Sequence, residues 1–263
     1  MKYLILLLFS ILFADSYKVI HYCLSPHILA IREFDGKYLI VDTSTLKTSI
    51  IPYTASRAEC DRTARYFKLL DKIINSSKHP VLTVDFCPSH KKGFDKKIFT
   101  ALESKFSTDI PVTLFMTKRW IEKHKKAFEW LKNNRHLKIT WGNHTATHPY
   151  RKSLPIKKNF IFIKGYNLIK DTLKNEKYLI AQHITPSVFF RFPGLIYDKK
   201  ALKEINSLGL IAIGSNAWLA KGEKITRHSI ILIHGNKNEE RGVRIFLKEL
   251  KKIKKLYPLT DVL

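Results

Sequence analysis

The stretch Leu137-Lys-Ile-Thr-Trp-Gly-Asn-His-Thr-Ala-Thr-His-Pro149 runs a short apolar strand directly into a loop carrying two histidines four residues apart. In one helical turn, positions i and i+4 share a face, so His144 and His148 could present two imidazole nitrogens to one divalent metal, the alternative being two polar loop histidines. The spacing alone carries little weight, because 11 histidines in 263 residues nearly supply such a pair by composition. Its meaning depends on what the other strand ends carry.

Outward from this stretch the chain repeats strand, loop, helix. Residues 81–86, 112–116, 137–141, 188–192, 210–213 and 230–233 read as short apolar strands. Residues 95–106, a segment through Trp120, Phe128 and Leu131, most of 156–183, 199–208 and 243–256 read as amphipathic helices, the first N-capped by Asp95. Such alternation predicts an α/β fold with parallel strands and helices packed outside, either a barrel or a doubly wound sheet. In both, function collects at the C-terminal edge of the strands. Upstream, residues 17–56 alternate in the strand manner around Asp35-Gly36, a hairpin signal. Residues 57–76 read as one amphipathic helix, with Ala64, Phe67, Leu70 and Ile74 at helical spacing. The expected division is a signal peptide over residues 1–16, a hairpin-plus-helix extension over 17–79 and a main domain over 80–263.

The signal-peptide reading rests on a short basic start, Met1-Lys2, a ten-residue apolar run and small residues at Ala14 and Ser16. An uncleaved anchor is the alternative. No later stretch is long and apolar enough to span a membrane, so no integral membrane domain is expected beyond that peptide. A secreted or periplasmic location puts the three cysteines in an oxidising setting. Cys23 and Cys60 could pair there; an odd number leaves at least one thiol free or paired between chains, and Cys87 is expected to be that one. The formal charge of +25 comes from lysines spread along helices rather than interleaved with aromatics, so no nucleic-acid partner is expected. A residual attraction to anionic envelope polymers remains.

The strand ends carry Asp85, the pair His144 and His148, Arg191, Asn216 with Trp218, and His234. An acid, three imidazoles and a guanidinium at separate strand ends form a convergent set. In these residues the chain resembles the polysaccharide deacetylase family, the NodB-homology carbohydrate esterases. Thr83-Val84-Asp85-Phe86-Cys87 matches its Thr-Phe-Asp-Asp-Gly motif in part, and His144-Thr145-Ala146-Thr147-His148 matches His-Ser/Thr-x-x-His. Arg191-Phe192-Pro193-Gly194 and Leu232-Ile233-His234 resemble its Arg-x-Pro and Leu-x-His motifs. Of the fourth motif, Ser215-Asn216-Ala217-Trp218 keeps the tryptophan but no aspartate.

The resemblance implies a distorted (β/α) barrel of about seven strands and metal-dependent removal of acetyl groups from a glycan. The substrate would be an envelope or extracellular polysaccharide, peptidoglycan-like or a polymer of N-acetylglucosamine. Asp85 would be the base, His234 the acid, and Arg191 the cation that holds Asp85 ionised. His144 and His148 would bind the metal, for which zinc is expected, with cobalt and iron also suited to such donors. Trp218 and Pro193 would meet substrate, although Trp218 reads equally well as core.

One departure is decisive for the chemistry. Phe86 stands where the family carries its metal-binding aspartate, so three outcomes are open. Asp85 completes the site; His90 or Asp95 reaches in; or the two histidines act with water alone or bind nothing. Cys87, in the glycine position, is expected as a buried thiol filling space, with a soft ligand as the alternative and a nucleophile as the less favoured one. The alternatives to a deacetylase are a catalytically lapsed glycan-binding protein on the same fold and a small-amide hydrolase.

Overall fold

The computed structural model describes residues 16–263; apart from Ser16, the expected signal peptide lies outside them. The chain opens with an antiparallel sheet, β1 (Lys18–Ser25), β2 (Ile28–Phe34), β3 (Lys37–Asp42) and β4 (Thr48–Pro52), in that spatial order. The hairpin at Asp35-Gly36 forms because both residues take positive φ, 46° and 69°, which matches the twist of the strands it joins. Two further strands flank it.

The expected helix over residues 57–76 is not there. Only α1 (Arg65–Leu69) is helical, and Ile73–Ile74 forms β5. Cys60 is bonded to Cys23 of β1 and Asp71 turns the chain with φ 63°, so tertiary ties override the local periodicity. Cys87 is the free thiol, as expected.

The remaining strands are β6 (Val81–Phe86), β7 (Ile110–Met116), β8 (Leu137–Asn143), β9 (Phe189–Phe190), β10 (Ile211–Ile213), β11 (Ala217–Trp218) and β12 (Ile230–His234). With β5 they make an eight-stranded sheet in the order β11-β12-β6-β7-β8-β9-β10-β5, every neighbouring pair parallel. This is the expected α/β barrel, curled and open between its edge strands, with β5 as an eighth strand beyond the seven anticipated. Helices α2 (Lys96–Phe106), α3 (Lys118–Lys123), α4 (Lys125–Lys132), α5 (Leu168–Ala181), α6 (Lys199–Asn206), α7 (Glu240–Leu250) and α8 (Leu259–Val262) complete the chain. The long helix expected over 156–183 is two short 3-10 turns followed by α5, because Asn159 bonds back to Arg151 and Leu154 and Gly165 takes φ 83°.

Two cores position the site. Leu82, Val84 and Phe86 of β6 pack with Ile98 and Phe99 of α2 and Phe246 of α7, so β6 is buried on both faces, as a central parallel strand must be. Ile31, Leu39 and Val41 of the N-terminal sheet share a second core with Val81, Ile211 and Ile230, the first residues of β6, β10 and β12. The antiparallel sheet therefore closes the end of the barrel where strands begin. A buried cluster joins the N-terminal sheet to α5: Arg32 Nε donates to Glu176 Oε1 at 2.6 Å, Arg32 Nη2 donates to Oε2 at 3.3 Å, and Tyr17 donates to Oε1 at 2.6 Å. The opposite end, where strands finish, is open.

Candidate active site

At that open end lies a cavity of about 540 Å³, whose wall includes Asp85, Cys87, His144, His148, Trp218 and His234. Parallel pairing of β6 with β12 puts His234 in register with Asp85, so an imidazole and a carboxylate sit on adjacent strand ends. Sequence-predicted residues from four strand ends thus line one cavity, while the Asn216 side chain instead bonds the His228 carbonyl and the Ile230 N–H.

Asp85 is held by Arg191. Arg191 Nη1 donates to Asp85 Oδ1 at 2.7 Å and to Thr83 Oγ1 at 2.8 Å, while Nη2 donates to the Gly214 carbonyl at 2.8 Å. The guanidinium is fully buried and lies over Phe115, 4.2 Å from the ring centroid. Burial alone would push the Asp85 carboxyl up; Arg191, with His144 and His234, more than offsets this and holds it below the usual carboxylate range. An ionised carboxylate thus faces the cavity with Oδ2 outside the guanidinium's grip.

His144 follows β8 directly. Its Nδ1 lies 2.8 Å from the Arg191 carbonyl oxygen, an acceptor only, so Nδ1 carries the proton and Nε2 presents a lone pair to the cavity. Burial pushes this imidazole down to about 4 against the pull of Asp85. It is neutral, and its Nε2 approach of 3.7 Å to Asp85 Oδ2 is not an ion pair. The His148 ring lies 4.6 Å from the His144 ring, centroid to centroid, and its Nε2 is buried with no hydrogen-bond partner.

The two histidines converge by a different route from the helical turn expected. Thr145 has φ 65° and His148 φ 42°, left-handed conformations that a β-branched threonine adopts only under constraint. The constraint is α5. Asp171 Oδ2 accepts from the Thr147 backbone N–H and hydroxyl, both at 2.9 Å, and Asn175 donates to Asn143 Oδ1 at 2.9 Å, which in turn accepts from Thr145 N–H at 3.0 Å. Asp171 and Asn175, one helical turn apart on a buried face, are positioning residues that sequence reading missed. The available signal was a set of polar residues at helical spacing, Asp171, Thr172, Asn175 and Glu176, on the face that carries Leu168 and Leu179.

Glu239 was missed as well. Its Oε2 lies 2.8 Å from His234 Nδ1 and accepts from Trp218 Nε1 at 2.9 Å. Burial opposes charge on His234, but Cys87, Glu239 and Asp85 together raise its pKa well above the ordinary histidine value. Burial likewise works against charge on Glu239, yet His234 and Trp218 hold it below the usual carboxylate range. Glu239 supplies the carboxylate absent from Ser215-Asn216-Ala217-Trp218. It comes from the start of α7 rather than from a strand end, which is why strand-end reading passed over it.

Phe86 points away from the cavity. It is fully buried, 4.4 Å from the Trp120 ring centroid, and abuts Gly235, where an added Cβ would fall 2.6 Å from its ring. Residues alternate across a strand, so Cys87 lines the cavity with Asp85, and its Sγ is 3.4 Å from His144 Nε2. The expected space-filling thiol is thus a cavity group. Burial pushes this thiol up, but His148 and His234 bring it down to about 7. Asp95 does not reach in: it accepts from the Lys237 backbone N–H at 2.8 Å, and its side chain makes no cap bond to α2. His90 stays at the exposed rim, 3.4 Å from Lys123 Nζ. Pro193 is buried in a 3-10 turn, and the cavity wall there is Gly194 and Leu195. Trp218 does line the cavity.

Solved structures share this fold. A family 4 carbohydrate esterase from Bacillus anthracis superposes with a TM-score of 0.52 at 20% identity, over 74% of this chain and 90% of that one. A family 4 esterase from Bacillus subtilis gives 0.50 at 16% identity, over 73% and 84%. A family 4 pseudoenzyme from Bacillus anthracis gives 0.50 at 15% identity, over 73% and 68%. The family model described as polysaccharide deacetylase matches residues 72–213, more than half of the chain, spanning Asp85, the two cavity histidines that follow β8 and Arg191. The chain belongs to the polysaccharide deacetylase family and is a deacetylase-type hydrolase.

Proposed function

We propose that this protein is an exported, metal-dependent deacetylase that removes N-acetyl groups from an amino-sugar polymer of the envelope, peptidoglycan-like or built from N-acetylglucosamine. The observation that carries the reading is the in-register pair Asp85 and His234 on β6 and β12, a carboxylate held ionised beside an imidazole held protonated.

An amide resists hydrolysis because its carbonyl is a poor electrophile and its nitrogen a poor leaving group. Asp85 takes a proton from the attacking water, and Arg191 keeps the carboxylate ionised and aimed for that task. His234 gives its proton to the departing amine nitrogen, so that no amide anion is expelled. Glu239 orients the His234 ring and stabilises the imidazolium before transfer. His144 and His148 would hold the divalent metal, zinc by donor type with cobalt and iron as alternatives. The partnerless, buried Nε2 of His148 and the fixed tautomer of His144 suit that role. Bound there, the metal supplies Lewis-acid polarisation and acidification of water. Trp218 offers a face for a sugar ring, and Tyr150, exposed at the rim, offers a second.

Export rests on the composition of residues 1–16; among the described residues no helix is long and apolar enough to cross a membrane. Acetate release from acetylated chito-oligosaccharide or peptidoglycan by metal-loaded protein, lost in Asp85→Asn, tests the assignment. No release across several glycans and metals would overturn it. Phe86 favours a second reading, a glycan-binding protein that has lost catalysis; sugar binding without acetate release is its signature.

A further inference from the structure

We infer that Cys87 is the third protein ligand of the metal, so that a thiolate on one residue of β6's end replaces the carboxylate its neighbour Phe86 cannot provide. The inference rests on the metal-dependent reading above and concerns which atom completes the site.

Three donors converge. Cys87, His144 and His148 each offer one ligand atom, all within 4.8 Å of one another, and all three residues are buried. The Cys87 Sγ to His144 Nε2 separation of 3.4 Å falls in the range of about 3.3–3.7 Å that tetrahedral zinc imposes on its nitrogen and sulfur donors. His144 Nε2 has its lone pair free, because Nδ1 is committed to the Arg191 carbonyl. His148, more than nine-tenths buried, has an Nε2 with no hydrogen-bond partner. A buried, unsatisfied ring nitrogen is costly, and a cation between these three atoms removes that cost.

The alternatives fail on placement. Phe86 lies on the other face of β6 against Trp120. Asp95 is bonded to the Lys237 backbone and His90 sits at the rim. Asp85 is engaged by Arg191 through Oδ1, and binding metal through Oδ2 would consume the base. Cys87 as ligand leaves Asp85 free for proton transfer. One consequence is metal choice: one sulfur with two imidazoles forms a softer set than a carboxylate with two imidazoles, favouring zinc, cobalt or cadmium over manganese or magnesium.

The test is spectroscopic and independent of turnover. The chain has three cysteines, and Cys23 and Cys60 are joined, so a thiolate-to-metal signal can come only from Cys87. Cobalt(II) added to the metal-free full chain should give, at one equivalent, a near-ultraviolet charge-transfer band beside the visible bands of a tetrahedral site. Cys87→Ser should lose the near-ultraviolet band and weaken zinc binding by at least about tenfold, since even residues behind a ligand are worth about 10–100-fold in metal affinity. Cys87→Asp should bind cobalt without that band and shift preference towards manganese. Cobalt bound with visible bands but no charge transfer, and zinc held equally by Cys87→Ser, overturns the inference and leaves the metal reading standing. Absence of cobalt and zinc binding in calorimetry of the unaltered protein overturns both. A near-ultraviolet band that survives in His144→Ala with His148→Ala places the thiolate on a metal elsewhere and also overturns it.

Discussion

Two buried arginine–carboxylate pairs lie at opposite ends of the barrel. Arg32 and Glu176 tie the N-terminal sheet to α5, and both Glu176 oxygens are taken, one by Arg32 Nε and Tyr17, the other by Arg32 Nη2. Arg191 and Asp85 sit at the open end, where the guanidinium takes only Oδ1 and Oδ2 faces the cavity. The residue chemistry is the same, and the saturation differs. A carboxylate with both oxygens engaged by its own protein is structural; one left with an accepting edge in a cavity can take a proton from something else. A buried ion pair is therefore not evidence of function until its unused edge is located.

Matched substitutions break this comparison. Asp85→Asn keeps shape and the Arg191 hydrogen bond but removes the base, so acetate release per folded molecule should fall by about 10²–10⁴-fold, and because Arg191 is also left buried without its counter-charge, stability should fall as well. Glu176→Gln should lose stability alone. It leaves Arg32 buried without its counter-charge and should cost about 3–5 kcal/mol in urea unfolding, with turnover per folded molecule unchanged. If Glu176→Gln abolished turnover in molecules shown to be folded, the two ends would not be separable in this way.

The disulfide belongs to the structural end. Cys23 and Cys60 are separated by 37 residues, and Cys23→Ser with Cys60→Ser should lower stability by about 2–4 kcal/mol, read as a shift in the urea midpoint at constant turnover. Glu239→Gln sharpens the reactive end. The ring of His234 keeps a polar neighbour at the same distance but loses the adjacent charge, so kcat should fall about tenfold with KM held; a rise in KM alone would make Glu239 a substrate contact instead.

The sequence carried more of the barrel than of the site's wiring. Six parallel strands and the residues that end them were legible because an apolar run bounded by polar residues marks a buried strand wherever it occurs. Asp85, His144, His148, Arg191 and His234 meet as strand-end reading required. The direction of Cys87 was within reach, since alternation along β6 puts it beside Asp85 once Phe86 is assigned to the core. Glu239 was not, because its contact with His234 depends on how α7 begins after a loop. The left-handed loop at Thr145 to His148 was also out of reach, since it is imposed by Asp171 and Asn175 from a helix more than twenty residues downstream. Local pattern failed most clearly over residues 57–76, where the Cys23 bond and the barrel edge draw Ile73 and Ile74 into a strand despite helical spacing.

The cap at the closed end has a consequence for how the chain acquires its shape. Arg32 lies 144 residues before Glu176, so a chain emerging N-terminus first makes the whole antiparallel sheet long before the carboxylate that neutralises its buried guanidinium exists. Until then Arg32 keeps its water, and the sheet's inner face has Val81 but not yet Ile211 or Ile230 to rest on. Final docking of that sheet is thus a late, long-range event in a topology rich in distant pairings, which slows folding. A chain cut short before α5 leaves its first completed strands exposed, an apolar edge open to mispairing.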